Sequence, residues 1–242
     1  MQFCAHRGDS RNLPENTMPA FIAAIENGFE RIETDPVFTK DGVIVLLHDR
    51  SINRTCRNAD GSKIEKEIFI EDITYEELLQ YDFGLAVSEE HRGTRVARLE
   101  ELLILAEKSG VILELDKKIP TDKIDPLLTL VKKYNVRVEF STCETERIKK
   151  ILSVIPDAGI IYDGNTTEEE LSKVCALVPK EQLTVYMYYD NPNFAWLTDR
   201  MKASAQNCAR VKKYARLGIS NVITTQEMRD SMLDGADVIQ LF

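Results

Sequence analysis

Three histidines occur in this 242-residue chain, and two of them sit in short polar motifs beside apolar runs. His6 opens His6-Arg7-Gly8, and His48 precedes Asp49 after the apolar residues 43–47. Between them, Ile32-Glu33-Thr34-Asp35 carries two carboxylates at i and i+2, a spacing that puts both on one face of a strand. Two imidazoles that titrate near neutral pH can work as an acid–base pair. Paired carboxylates supply hard oxygen ligands suited to Mg2+ or Ca2+. The Arg7 guanidinium is a fork that matches phosphate, and Gly8 allows a turn with close backbone approach. The chemistry implied is a metal-assisted phosphoryl site.

Each of these residues also has a plainer reading. A histidine beside a core strand is commonly a hydrogen-bonded core residue. Glu114 lies in the apolar run 111–115, where an unpaired ionised carboxylate is costly, so an ion pair with Lys117 or Lys118 would account for it. Taken with Glu33 and Asp35, likewise at strand C-termini, a shared cation is the favoured reading. His91, in Glu89-Glu90-His91-Arg92-Gly93, reads as a surface residue rather than a ligand. The five cysteines (Cys4, Cys56, Cys143, Cys175, Cys208) are scattered and form no CxxC pair. Neither a zinc site nor a disulfide framework is indicated, and reduced thiols in the cytoplasm are expected.

Positioning these groups requires strands, and the hydrophobic pattern supplies them. Residues 3–5 form a short strand before His6. A helix is expected over 17–27, with Asn16 or Thr17 as N-cap, Pro19 in its first turn and Gly28 stopping it. The next strand covers 31–38, Thr39-Lys40-Asp41-Gly42 turns the chain, and 43–47 returns. A connection this short implies an antiparallel hairpin, which brings His48 opposite Thr34 or Asp35. Residues 51–94 are polar and irregular, an insertion. Beyond them, helices at 99–108, 124–134, 145–155, 168–178, about 193–217 and 226–233 alternate with strands at 111–115, 136–141, 158–162, 183–188 and 221–224, and 238–241 is a candidate last strand. Counting the hairpin strand gives about eight β elements before the tail, hence a (β/α)8 TIM-type barrel. It would be a single domain over 1–242, with the insertion at about 51–94 after the second motif histidine. A doubly wound open sheet is the alternative, but no GxGxxG or Walker loop follows any strand.

Composition narrows the partners. A net charge of −9 and a pI near 5.0 argue against nucleic acid and anionic membranes. No apolar run approaches the roughly 18 residues that span a bilayer, and the first motif begins too close to Met1 to leave room for a signal peptide. The expectation is a cytoplasmic protein with a small-molecule substrate and no membrane anchor. A homo-oligomer is compatible with a barrel, although no stripe identifies an interface.

Six ordered motifs carry a family resemblance: His6-Arg7-Gly8, Pro14-Glu15-Asn16-Thr17, Ile32-Glu33-Thr34-Asp35, Thr39-Lys40-Asp41-Gly42, His48-Asp49 and Arg54-Thr55. Together they resemble the signature of glycerophosphodiester phosphodiesterases. The resemblance implies a phospholipase-C-like barrel with a small insertion after the second histidine. It implies one divalent cation, Mg2+ or Ca2+, held by Glu33, Asp35 and Glu114. It also implies acid–base work by His6 and His48, phosphate contact by Arg7, and orientation of Arg7 or the metal shell by Glu15. Leu99-Glu100-Glu101-Leu102 resembles the helix that follows the insertion. The match is weaker toward the C-terminus. Tyr188, in Tyr188-Tyr189-Asp190-Asn191, stands as a substrate-binding residue where the family has Trp-Thr-Val-Asn, and its Thr-Asp-x-Pro ending is reduced to Thr224-Thr225-Gln226-Glu227. Asp116 replaces the lysine usual two places after the third carboxylate, removing a phosphate contact, and Lys117 would point to the opposite face of a regular strand. Asp116 would instead add a metal ligand or alter substrate choice. The activity implied is metal-dependent hydrolysis of glycerophosphodiesters to sn-glycerol 3-phosphate and an alcohol, the glycerol 2-hydroxyl attacking first to give a cyclic phosphate that water opens. A lysophospholipase D-type enzyme acting on lysolipids and a non-catalytic phosphodiester-binding barrel are the alternatives.

Overall fold

Apolar runs bounded by turn residues form strands, and the amphipathic runs between them form helices. The computed structural model describes residues 1–189 and 197–242. Its strands are β1 (Gln2–His6), β2 (Arg31–Thr34), β3 (Pro36–Phe38), β4 (Ile44–Leu46), β5 (Ile112–Leu115), β6 (Val138–Thr142), β7 (Gly159–Tyr162), β8 (Leu183–Tyr188), β9 (Arg216–Val222) and β10 (Val238–Leu241). The helices are α1 (Met18–Glu26), α2 (Tyr75–Leu78), α3 (Leu99–Ser109), α4 (Asp125–Val131), α5 (Thr145–Val154), α6 (Glu168–Cys175), α7 (Ala205–Tyr214) and α8 (Thr225–Leu233). Parallel strands pair in the closed order β1-β10-β9-β8-β7-β6-β5-β2, the expected (β/α)8 barrel, while β3 and β4 form a separate antiparallel pair.

The route to eight strands differs from the expectation. The strand expected over 31–38 is two strands broken at Asp35, and the hairpin strand β4 is not a barrel strand. Pro36 has no N–H to donate, so the parallel ladder of β2 cannot continue through it. The chain instead leaves the barrel and pairs with β4 in the register Pro36↔Leu46, Val37↔Val45, Phe38↔Ile44. The eighth barrel strand is β10, from the tail. A second correction concerns the helix expected to reach 217. α7 stops at Tyr214 and β9 starts at Arg216, well before the expected strand at 221–224. The basic residues Lys212, Lys213 and Arg216 hid this boundary, because Arg216 is not a helix-surface residue but the ion-pair partner of buried Glu139, at 3.1 Å. Gly218 then sits within β9 because the Tyr186 ring leaves no room for a side chain, a Cβ there lying 2.6 Å from it. Asp190, Asn191 and residues 193–196 of the expected helix lie outside the described residues.

The chain divides into two compact units. Met1–Cys4 with Arg137–Phe242 forms one, in which β6 to β10 pair in parallel and Cys4, Ile161, Tyr186 and Val238 share a core. Ala5–Val136 forms the other. There β2 and β5 pair in parallel, and α3 ends at Gly110, whose φ of 77° makes the left-handed C-cap. The insertion is not separate from the hairpin: its Ile52, Cys56, Ile70, Ile73, Leu78 and Phe83 pack with Val45 and Leu47 in one core. His91, outside this core, lies with its Nε2 2.8 Å from the Asn12 carbonyl oxygen. No described helix is long and apolar enough to cross a membrane, and all five cysteines are free thiols.

The turn after β1 is the tightest constraint on the site. Arg7 and Gly8 both have positive φ, 57° and 81°, and a Cβ on Gly8 would lie 2.8 Å from the Ala20 backbone carbon at the start of α1. The backbone cannot retreat without moving α1. Gly8→Ala should therefore lower unfolding free energy by about 2–4 kcal/mol, from left-handed strain plus overpacking. Urea unfolding measures this, and a loss below about 0.5 kcal/mol, the range of ordinary surface substitutions, would show that the turn relaxes.

Candidate active site

The site residues of the Ala5–Val136 unit come from the C-terminal ends of strands and the loops that follow them, as in a barrel active face. His6 ends β1. The next residue is fixed by its backbone, the Arg7 N–H donating to the Glu33 carbonyl (3.0 Å) and to Glu33 Oε2 (3.2 Å). The Arg7 side chain then runs to Glu15, Nη1 to Oε1 at 2.9 Å, with Nε 3.4 Å from Asp35 Oδ2. Asn16, also at positive φ, donates from Nδ2 to Asp35 Oδ2 (2.8 Å) and accepts from Thr34 Oγ1 (2.7 Å). Glu15 is thus in direct contact with the Arg7 guanidinium.

Glu33 and Glu114 are register partners on β2 and β5. Glu114 is ion-paired, as its plainer reading required, but the partner found is neither expected lysine: Arg31 Nε lies 2.5 Å from Glu114 Oε1, both side chains being almost wholly buried. Arg31, two residues before Glu33, escapes a sequence reading because an arginine that opens a mostly polar strand reads as a surface charge. Lys118 goes elsewhere, its Nζ 3.4 Å from Asp35 Oδ1 and 3.5 Å from Asp116 Oδ2. Burial pushes the Glu33 carboxyl well above the ordinary range, helped by the charges of Asp35, Asp116 and Glu114 and opposed by Arg7. By donor type, Glu33, Asp35 and Glu114 are the hard oxygen ligands that Mg2+ or Ca2+ takes. Among the described residues, no group of three or more His, Cys, Asp or Glu side chains is drawn together closely enough to hold one.

The two histidines differ in surroundings. Burial, then Arg7, His48 and Lys118, push the His6 pKa well below its usual value, so His6 is a neutral imidazole at neutral pH. Its Nε2 is 3.8 Å from Glu33 Oε2. His48 Nδ1 is 2.7 Å from Asp49 Oδ1, a contact that favours the proton on Nδ1 and leaves Nε2 for chemistry. Asp49 accepts in turn from Arg54 Nε at 2.5 Å, and Arg54 donates with both terminal nitrogens to Glu15 at 2.8 Å each. Against the upward push of burial, bonds from Arg54 and His48 hold the Asp49 carboxyl down at about 2. Burial likewise opposes the fall in Glu15, which Arg54 and Arg7 bring about. A continuous chain of charged contacts therefore runs His48–Asp49–Arg54–Glu15–Arg7–Asp35. Asp49 and Arg54 lie inside the recognised motifs without an assigned role, and Asn16 was read only as a candidate helix N-cap. The Arg54–Glu15 contact spans 39 positions, and no local pattern announces it.

The expected site residues His6, Arg7, Glu15, Glu33, Asp35, His48 and Glu114 all belong to the Ala5–Val136 unit. Tyr188 belongs to the other, where it ends β8 and its backbone bridges to Met201 and Ala203 at 2.8 Å each.

Glu33 makes a measurable demand on stability. Above pH 4.5 the unfolded chain releases this proton while the folded chain keeps it, so stability falls as pH rises toward the folded pKa. Glu33→Gln should raise the melting temperature at pH 8 in EDTA, with the gain fading below pH 4.5. A lower melting temperature than wild type at pH 8 would show that the Glu33 charge is compensated in the folded chain.

The family model for the glycerophosphoryl diester phosphodiesterase family matches residues 6–225. A glycerophosphodiester phosphodiesterase of Caldanaerobacter subterraneus subsp. tengcongensis is 32% identical over 172 residues, 68% of each chain. Another, from Bacillus altitudinis, is 37% identical over 115 residues, 47% of this chain and 44% of that protein. Among solved structures, an Oleispira antarctica phosphodiesterase in complex with the product sn-glycerol-3-phosphate superposes with a TM-score of 0.80 at 18% identity, covering 100% of this chain and 92% of that one. A glycerophosphoryl diester phosphodiesterase of Parabacteroides distasonis gives 0.76 at 21% identity, covering 99% and 82%. The strand-end carboxylates, the two motif histidines and this match over nearly the whole chain agree: the chain belongs to the glycerophosphoryl diester phosphodiesterase family of enzymes.

Proposed function

We propose that the protein hydrolyses glycerophosphodiesters to sn-glycerol 3-phosphate and an alcohol, in a reaction that depends on a divalent cation and uses His6 and His48 for proton transfer. The observation that carries this reading is a neutral His6 and an Asp49-oriented His48 in one site with Arg7 and a cluster of buried carboxylates. Glu33, Asp35 and Glu114 would hold Mg2+ or Ca2+, whose charge offsets the negative charge that develops on the phosphoryl oxygens. Arg7, braced by Glu15, grips a phosphoryl oxygen through its guanidinium.

His6 is held neutral and so suits the base. It takes the proton of the glycerol 2-hydroxyl as that oxygen bonds to phosphorus. His48, entering the step with protons on both ring nitrogens, gives the one on Nε2 to the departing alcohol oxygen as the phosphorus–oxygen bond breaks and keeps the one shared with Asp49. Water then opens the cyclic phosphate with the roles reversed: His48 takes a proton from water, and His6 returns one to the 2-oxygen. Asp49 keeps the His48 ring oriented through both halves, and Arg54 keeps Asp49 in place. The free thiols and the absence of an apolar spanning helix among the described residues support a cytoplasmic location.

The test is glycerol 3-phosphate release from glycerophosphocholine and glycerophosphoethanolamine in EDTA, Mg2+ and Ca2+. Release with one or both metals and none in EDTA is expected. Preference for a long-chain lysolipid would move the reading to a lysophospholipase D-type enzyme, and tight binding without turnover in any metal would make the barrel a binding protein. His6→Ala and His48→Ala should each lower kcat by about 10²- to 10⁴-fold while the far-UV circular dichroism stays unchanged. Near wild-type turnover in either variant would remove that histidine from proton transfer. Asp49→Asn should reduce kcat more than it changes KM, since it disturbs ring orientation rather than substrate binding; an effect confined to KM would contradict the orienting role.

A further inference from the structure

The ends of β2 and β5 gather Glu33, Asp35, Glu114 and Asp116, and three cations touch this cluster: Arg31, Arg7 and Lys118. They are not equivalent. Arg31 is 0% exposed and engaged with Glu114, so it cannot meet a substrate. Arg7 reaches the substrate face braced by Glu15 and Asp35. Lys118 is held more loosely. Its distances of 3.4 and 3.5 Å to Asp35 and Asp116 exceed the roughly 2.7–2.9 Å of a charge-assisted hydrogen bond. Its side chain keeps 24% of its surface exposed. An ammonium with three N–H donors therefore faces two carboxylates without a short bond to either.

Asp35 organises the two accessible cations. Arg7 Nε lies 3.4 Å from its Oδ2, and Lys118 Nζ lies 3.4 Å from its Oδ1. One buried carboxylate thus carries a cation on each oxygen, a pairing that matches the two non-bridging oxygens of a phosphodiester. Lys118 gets there through the turn at residues 117–118 that follows β5, and the start of that turn is tied down by the Asp116 N–H donating to the Thr34 carbonyl at 3.0 Å. Asp116 alone would repel a phosphate. Beside Lys118 it instead holds the ammonium at the site.

We propose that Lys118 is a substrate-phosphate contact, docked by Asp35 and Asp116 until the phosphate takes its N–H donors. The assignment rests on the phosphodiesterase reading above, and it makes the aspartate at 116 part of a relocated anion grip rather than the loss of one.

Calorimetric titration of inorganic phosphate and of sn-glycerol 3-phosphate, in EDTA, reads the protein's own cations without turnover. Lys118→Met should weaken both ligands by about 10- to 100-fold, the loss of one charge-assisted contact. Lys118→Arg should recover most of that loss, and Lys117→Met, altering the exposed neighbour, should bind as wild type does. The double variant D116K/K118M, which moves the ammonium two residues back, should bind more tightly than Lys118→Met alone. In the hydrolysis assay Lys118→Met should raise KM by a larger factor than it lowers kcat. Equal phosphate affinity in wild type and Lys118→Met overturns the proposal, as does a wild type that binds no phosphate in EDTA. A wild type that binds phosphate through Lys118 but hydrolyses no diester would instead overturn the enzymatic reading and leave the anion contact standing.

Discussion

Buried negative charge at the ends of β2 and β5 is the constraint to which the rest of the site answers. Glu33, Asp35 and Glu114 are at most 9% exposed, and Glu33 and Glu114 are neighbours across the parallel ladder. Carboxylates placed this way cost several kcal/mol unless positive charge comes to them. It comes from separate parts of the chain: Arg31 from β2 itself, Arg7 from the turn after β1, and Lys118 from the turn after β5. Arg54 acts one step removed, holding the glutamate that holds Arg7. Three cations from different parts of the chain thus answer one electrostatic demand.

The break in the second strand links that cluster to the histidine pair. With Pro36 unable to extend the barrel ladder, the chain turns out at Asp35 and folds back through β4, where the Leu47 N–H donates to the Asp35 carbonyl at 2.9 Å. His48 follows directly. The insertion then packs on this hairpin through Val45 and Leu47, which anchors the segment carrying Arg54. Its irregular sequence therefore has a mechanical function: it delivers a guanidinium that ties Asp49 to Glu15, and so links the His48 imidazole to the Arg7 guanidinium.

The other unit solves a similar burial problem without chemistry in view. Glu139 on β6 is met by Arg216 on β9 at 3.1 Å and by the Thr184 hydroxyl on β8 at 3.2 Å. Such pairs are brought together by fold geometry rather than by any local motif. The barrel itself superposes on solved structures at about 20% identity. Function here lies with the site residues and not with the barrel that carries them.

The sequence by itself determined the alternation of strands and helices, the start of the first helix at Asn16 or Thr17 and its stop before Gly28, the hairpin about residues 39–42, and the identity of the motif histidines and carboxylates. All of these depend on interactions a few residues apart: period, capping, turn chemistry and same-face spacing. Only the tertiary structure decided which strands close the barrel, because Pro36 diverts one candidate and the tail supplies its replacement. It also decided where the charges pair. Arg31 with Glu114, Arg54 with Glu15 and Arg216 with Glu139 are 83, 39 and 77 positions apart. A charged residue in a strand carries no local mark of whether it meets water or a distant opposite charge. That choice is made by desolvation, which exists only once the chain has folded.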